Sequence, residues 1–211
     1  MRSAAFAASC RGLVLIASIA LFGGINFGCA TAPDLTLTSI DQHHTWREPF
    51  SHAYSRRDAN GNLDIVLIDR PTEVALSGHR PATPVRQVMY IHVLWTPARE
   101  TKAVTCNAAI KWYVIGDRKP QDILEYSGTG FVSWKSQDNG HARVWIQNAL
   151  LKAAENHGSL TDPVGSSRLQ GSILARANSQ RVAKVLDDLH VTLAAAGEER
   201  AATNEPADPQ Q

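Results

Sequence analysis

Cysteine is scarce in this chain. Its 211 residues contain three, Cys10, Cys29 and Cys106. Cys10 lies in the N-terminal leader, so if Cys29 is engaged elsewhere Cys106 has no mate. That excludes a framework of disulfides, and the fold must rest on its core. Surplus charge is also lacking. The formal net charge is +1, from 21 Lys and Arg against 20 Asp and Glu, with no block of like charges. There is thus no broad electrostatic footprint for nucleic acid, and no nucleic-acid partner is expected. The apolar run from Leu13 to Phe22 falls well short of the ~20 residues a membrane helix needs. What the chain does have is 44% hydrophobic residues, enough to fill one core. Its length suits a single domain with tails.

The first 28 residues read as an export signal. Arg2 and Arg11 supply positive charge, Leu13 to Phe22 the apolar stretch, and Gly23, Gly24 and Gly28 the small residues that follow. Removing Arg2 and Arg11 with this leader takes the formal charge from +1 to −1. Gly28-Cys29 closes the segment, and here it resembles the bacterial lipoprotein signal peptide. Asn26 stands where that pattern usually has an aliphatic residue, and Phe27 is bulkier than usual. The resemblance implies cleavage before Cys29 and fatty acylation of its thiol and new amino group. It also implies a lipid bilayer as partner. Ala30 follows the cysteine; in Gram-negative lipoproteins this implies the outer membrane, facing the periplasm. The alternative is ordinary secretion after the small-x-small triplet Ala30-Thr31-Ala32, which would leave a soluble periplasmic or secreted protein. More than one acyl chain is needed for stable anchoring, at ~0.8 kcal/mol per buried methylene.

Residues 29–45 read as a tether, 46–196 as one globular domain and 197–211 as a disordered tail. The domain is expected to be α+β: an antiparallel meander of about five or six strands with one C-terminal helix packed on it. A β-sandwich is the alternative. Trp46, Phe50 and Tyr54 recur every fourth residue, which suits a helix face or alternate positions of a strand. DANGN, Asp58 to Asn62, is a turn signal. Strand patterns follow at 63–69, 87–95, 103–115, 123–134, 142–151 and 168–175. In the third, Val104, Cys106, Ala108, Ile110, Trp112 and Val114 alternate on one side, with Thr105, Asn107 and Lys111 on the other. Val182, Val185, Leu186, Leu189 and Leu193 then stand at helical spacing, with Asn178 or Ser179 to cap the start and Gly197 to stop the helix. Gly128 and Gly130 leave room on one strand face, so the helix is expected to cross there.

Chemistry-bearing residues are few and their motifs weak. His43, His44 and His52 approach a metal cluster but match no ligand spacing, so no metal or cofactor is expected. Cys106, with His92 or His141 as base, has the elements of a nucleophile, but its apolar neighbours favour a core role. Ser127 to Phe131, SGTGF, lacks the third glycine of a phosphate loop. Asp162, Ser166 and Ser167 in TDPVGSS sit in turn chemistry. Of Trp46, Trp95, Trp112, Trp134 and Trp145, Trp46 and Trp145 are the freest to meet an envelope protein or a glycan. These signals favour a non-catalytic binding or structural role. A secreted hydrolase or metal-dependent enzyme using His and carboxylate residues is the alternative.

Overall fold

The computed structural model describes residues 33–41, 45–47, 50–69, 85–97, 105–116, 122–158, 160–162 and 164–203. Cys29, His43 and His44 lie outside them. The elements are β1 (Asp34–Ser39), β2 (Thr45–Arg47), β3 (His52–Arg57), β4 (Leu63–Ile68), β5 (Val85–Val93), β6 (Ala108–Gly116), β7 (Ile123–Ser136), β8 (His141–His157), β9 (Ser167–Ala177) and the helix α1 (Ser179–Thr203). The α+β class and the C-terminal helix are as the sequence indicates. The sheet is larger than expected, with nine strands among the described residues.

From β3 to β9 each strand pairs antiparallel with the next, and the meander curls round until it closes. Closure is a short parallel pairing, Tyr54↔Arg176 and Ser55↔Ala177. The rest of that edge of β9 is taken by β1, and β2 pairs on β1's far side. The result is a closed barrel with a two-strand flap. Closure leaves the ring's strands without long free edges.

The period of two along each strand divides the side chains between two clusters. Ile65, Leu67, Met89, Ile91, Ile110, Trp112, Tyr126, Val144 and Leu169 belong to the interior. The Trp112 and Tyr126 rings stack with centroids 4.7 Å apart. Alternate residues of the same strands, Val66, Ile68, Val88, Tyr113, Ile115 and Ile123, form an outer apolar band. Helix α1 covers that band with Val182, Val185, Leu189 and Ala196. Asn178 caps it: its Oδ1 accepts from the Arg181 N–H at 2.9 Å, while its own N–H donates to the Ser55 carbonyl.

Several expectations need correction. The tether expected over 29–45 contains β1, whose Leu35 and Leu37 are fully buried. The alternation of DLTLTS places both leucines inward. The ambiguous 46–54 stretch contains strands, β2 and the start of β3. Gly197 does not stop the helix, which continues to Thr203 into the segment expected to be disordered.

The helix also does not cross at Gly128 and Gly130. These glycines serve the β7–β8 contact: a Cβ on Gly128 would lie 1.7 Å from the Leu150 carbonyl oxygen, and one on Gly130 2.5 Å from the Ala149 Cβ. The pairing register shifts here, between Thr129 and Phe131, and the strands bend as a closing barrel requires.

Candidate functional site

Cross-strand register assembles the most chemically loaded group. Asp64 on β4 lies opposite Arg56 on β3 and His92 on β5. Directly opposed residues share a face, here the outer wall beside the helix-covered band. The Asp64 side chain is only 3% exposed. Its Oδ2 accepts from Arg56 Nε at 2.9 Å, and its Oδ1 accepts from the Tyr90 hydroxyl at 2.8 Å. His92 Nδ1 lies 2.7 Å from the same Oδ1.

Burial pushes the Asp64 carboxyl up, but the hydrogen bonds from His92, Tyr90 and Arg56, with the guanidinium charge, outweigh it. The group is held below the ordinary aspartate value. An ionised Asp64 can only accept, so Nδ1 of His92 carries the hydrogen and the imidazole is held in one tautomer and orientation. Tyr90 is pushed above the ordinary tyrosine value by burial, then by its bond to Asp64 and that negative charge. An oriented imidazole backed by a carboxylate is one part of general-base chemistry.

Two other polar groups flank the barrel. On the outer wall Lys111 Nζ meets Glu125 Oε1 at 2.8 Å. The hydrogen bond to Glu125 holds the Lys111 ammonium above its ordinary value. At the barrel end formed by the β7–β8 hairpin, a cleft of ≈ 140 Å³ is lined by residues including Arg57, Trp134, Ser136, Gln137 and His141. The Arg57 guanidinium carbon sits 4.5 Å above the Trp134 ring, a cation–π contact. That volume is well below the ~300 Å³ at which small-molecule sites usually begin.

The structure separates the residues that the sequence analysis grouped. Cys106 is exposed, which corrects the core reading. β6 begins at Ala108, so the inward alternation holds for Ala108, Ile110 and Trp112 but does not extend back to Cys106. Its Sγ accepts from Thr129 Oγ1 at 3.6 Å. His92 is engaged with Asp64, and His141 Nδ1 lies 3.1 Å from the Asn139 carbonyl in the β7–β8 turn.

Asn107, expected on the solvent side, is fully buried. Its amide donates to the Trp95 and Val132 carbonyls and accepts from the Val132 N–H. It extends the ladder past the end of β6. His52 stacks on Tyr54 at 6.2 Å. Among the described residues, no three His, Cys, Asp or Glu side chains gather as a metal site.

SGTGF is an interior stretch of β7, as the strand pattern over 123–134 indicates. In TDPVGSS, Asp162 accepts from the Val164 and Gly165 N–H groups and from the buried Tyr126 hydroxyl, while Ser167 is buried at the start of β9. Burial raises the Asp162 carboxyl and these donors more than offset it, so its value is lowered. Trp112 is buried, whereas Trp95 and Trp145 are 38% and 37% exposed. The Arg56–Asp64–Tyr90–His92 group has no motif in the sequence. Its signal was the lone acid at an outward position of LDIVLI.

No protein-family model, no curated protein and no solved structure matches the chain.

Proposed function

We propose that the protein is a membrane-anchored envelope lipoprotein with a non-catalytic binding or structural role. The observation that carries this reading is the start of β1. Asp34 follows Cys29 by five positions, and Leu35 and Leu37 are already fully buried in the core. Five residues span at most about 18 Å. An acylated Cys29 would therefore hold the barrel against a bilayer surface rather than on a long leash. The interior, where a barrel would house a ligand, is occupied by a continuous apolar cluster. This supports a role for the outer surface.

The test is fractionation with mass spectrometry. Acyl chains on Cys29 and membrane-bound protein are expected, with Cys29→Ser releasing the chain to the aqueous fraction. A bare Cys29 sulfur in freely soluble protein would overturn the proposal.

The Asp64–His92 pair favours a second reading, a hydrolase using an oriented imidazole as base. That reading requires a hydrolytic activity abolished by His92→Ala in a chain that still folds.

A further inference from the structure

The two sides of the barrel wall are finished differently. Helix α1 covers the β3–β6 side and reaches Ile123 at the start of β7. On the opposite outer wall, β9, β1 and the hairpin-side stretches of β7 and β8 lie away from this band, and their charges are mostly positive; Glu125 and Glu155 stand opposite each other at the far end of β7 and β8, beyond these rows. Register defines its rows. Lys135 on β7 lies opposite Arg143 on β8, which lies opposite Leu174 on β9. The next row runs Ser133, Trp145, Ser172 and Asp34. Another runs Thr129, Leu150, Arg168 and Thr38, with Lys152 beyond it opposite Ser127.

The cations Lys135, Arg143, Lys152 and Arg168 are all exposed. Among them stand Trp145 at 37% and Leu150 at 52% exposure. In these rows the only carboxylate is Asp34, which pairs loosely with Arg47 at 3.7 Å. The chain as a whole is nearly neutral, at +1. The positive character of this wall is therefore a matter of arrangement, not of composition.

The N-terminal segment joins the barrel on this wall. Asp34 lies opposite Ser172, and Ser172 lies opposite Trp145. The chain thus arrives two strand spacings from the exposed indole, roughly 10 Å away. We propose that this wall docks on an anionic phospholipid surface, with its arginines and lysines on the headgroups and Trp145 and Leu150 at the headgroup–acyl boundary. Cations near such a surface are attracted to it, and tryptophan favours the interface. The proposal rests on the lipid-anchor reading for the proximity of the bilayer. A tether of at most about 18 Å brings this wall to the membrane. The helix-covered wall is the one left facing outward.

The test uses the purified full chain on two vesicle types: phosphatidylethanolamine alone, and an equal mixture with phosphatidylglycerol, each with bromine-labelled acyl chains. The difference between wild type and Trp145→Phe isolates the Trp145 fluorescence. Expected is membrane association on both vesicle types, but quenching of Trp145 several-fold stronger on the anionic vesicles and suppressed by salt. For Cys29→Ser, salt-sensitive co-sedimentation with anionic vesicles alone is expected. Adding Arg143→Gln and Arg168→Gln to it should weaken that association by at least about tenfold.

An acylated chain that associates with both vesicles yet shows equal Trp145 quenching would overturn the docking and leave the anchor standing. A Cys29→Ser chain that still sediments with anionic vesicles supports the docking even if Cys29 proves bare in the wild type. Sedimentation of neither form would overturn both readings. Preference of the Cys29→Ser chain for double-stranded DNA over anionic vesicles at equal salt would overturn the lipid assignment.

Discussion

Strand β4 is buried at every position from Leu63 to Ile68, whereas β8 alternates between buried and exposed positions from Ala142 to Ile146. Both contribute to the same interior, β4 with Ile65 and Leu67 and β8 with Val144 and Ile146. They differ in what lies outside. Val66 and Ile68 are covered by the helix, and Asp64 by its three hydrogen-bond partners. Arg143 and Trp145 have no such cover. An unbroken apolar run thus marks a strand with neighbours on both faces, and clean alternation marks one with water on one side. The single carboxylate in β4 follows the same logic, because a charge there survives only with partners.

Four substitutions sharpen this contrast. Val66→Lys should be the most damaging, at about 4 kcal/mol or more in chemical denaturation, since it buries an unpaired charge beneath the helix. The same measurement on Leu189→Ala should give about 2–4 kcal/mol, from lost burial and the void left against the outer band. A loss below about 1 kcal/mol in either would mean that the helix is only loosely seated.

Asp64→Asn should cost about 1.5–3 kcal/mol at neutral pH, where its charge-assisted hydrogen bonds are at stake. The pH dependence carries the sign. Asp64 has a folded value below its unfolded one of about 3.9. Its contribution is therefore complete above the unfolded value and is lost as pH falls through the folded one. Unfolding followed from pH 7 down to pH 2 should show the wild type and Asp64→Asn converging at the acid end. Parallel curves would assign the lost stability to packing instead. Arg143→Ala, on the uncovered wall, should change stability by less than about 0.5 kcal/mol; a larger loss would mean that this wall is structurally engaged.

Much of the β3–β4 hairpin could be read from the sequence, because period and turn chemistry are local. The DANGN turn is built as its residues suggest: Asp58 Oδ1 accepts from the Asn60 and Asn62 N–H groups, and Gly61 takes φ of 81°. That turn fixes Arg56 opposite Asp64. His92 joins them only through the β4–β5 register, across a long connection that offers no such rule.

Closure was illegible for the same reason. It pairs Tyr54 with Arg176, far apart along the chain, and nothing local announces it. Cys106 shows the opposite error, a local pattern carried past the end of its strand. Asn107 was misplaced with it, because a buried amide that completes a backbone ladder has the same composition as a solvated one.

The parallel junction of β3 and β9 has a mechanical consequence. It is the briefest seam in the ring, and the Asn178 N–H bonded to the Ser55 carbonyl stitches α1 across it. Peeling the helix away would strip cover from the outer band and unfasten the hoop in one motion, so the last element of the chain acts as the clasp for strands made long before it.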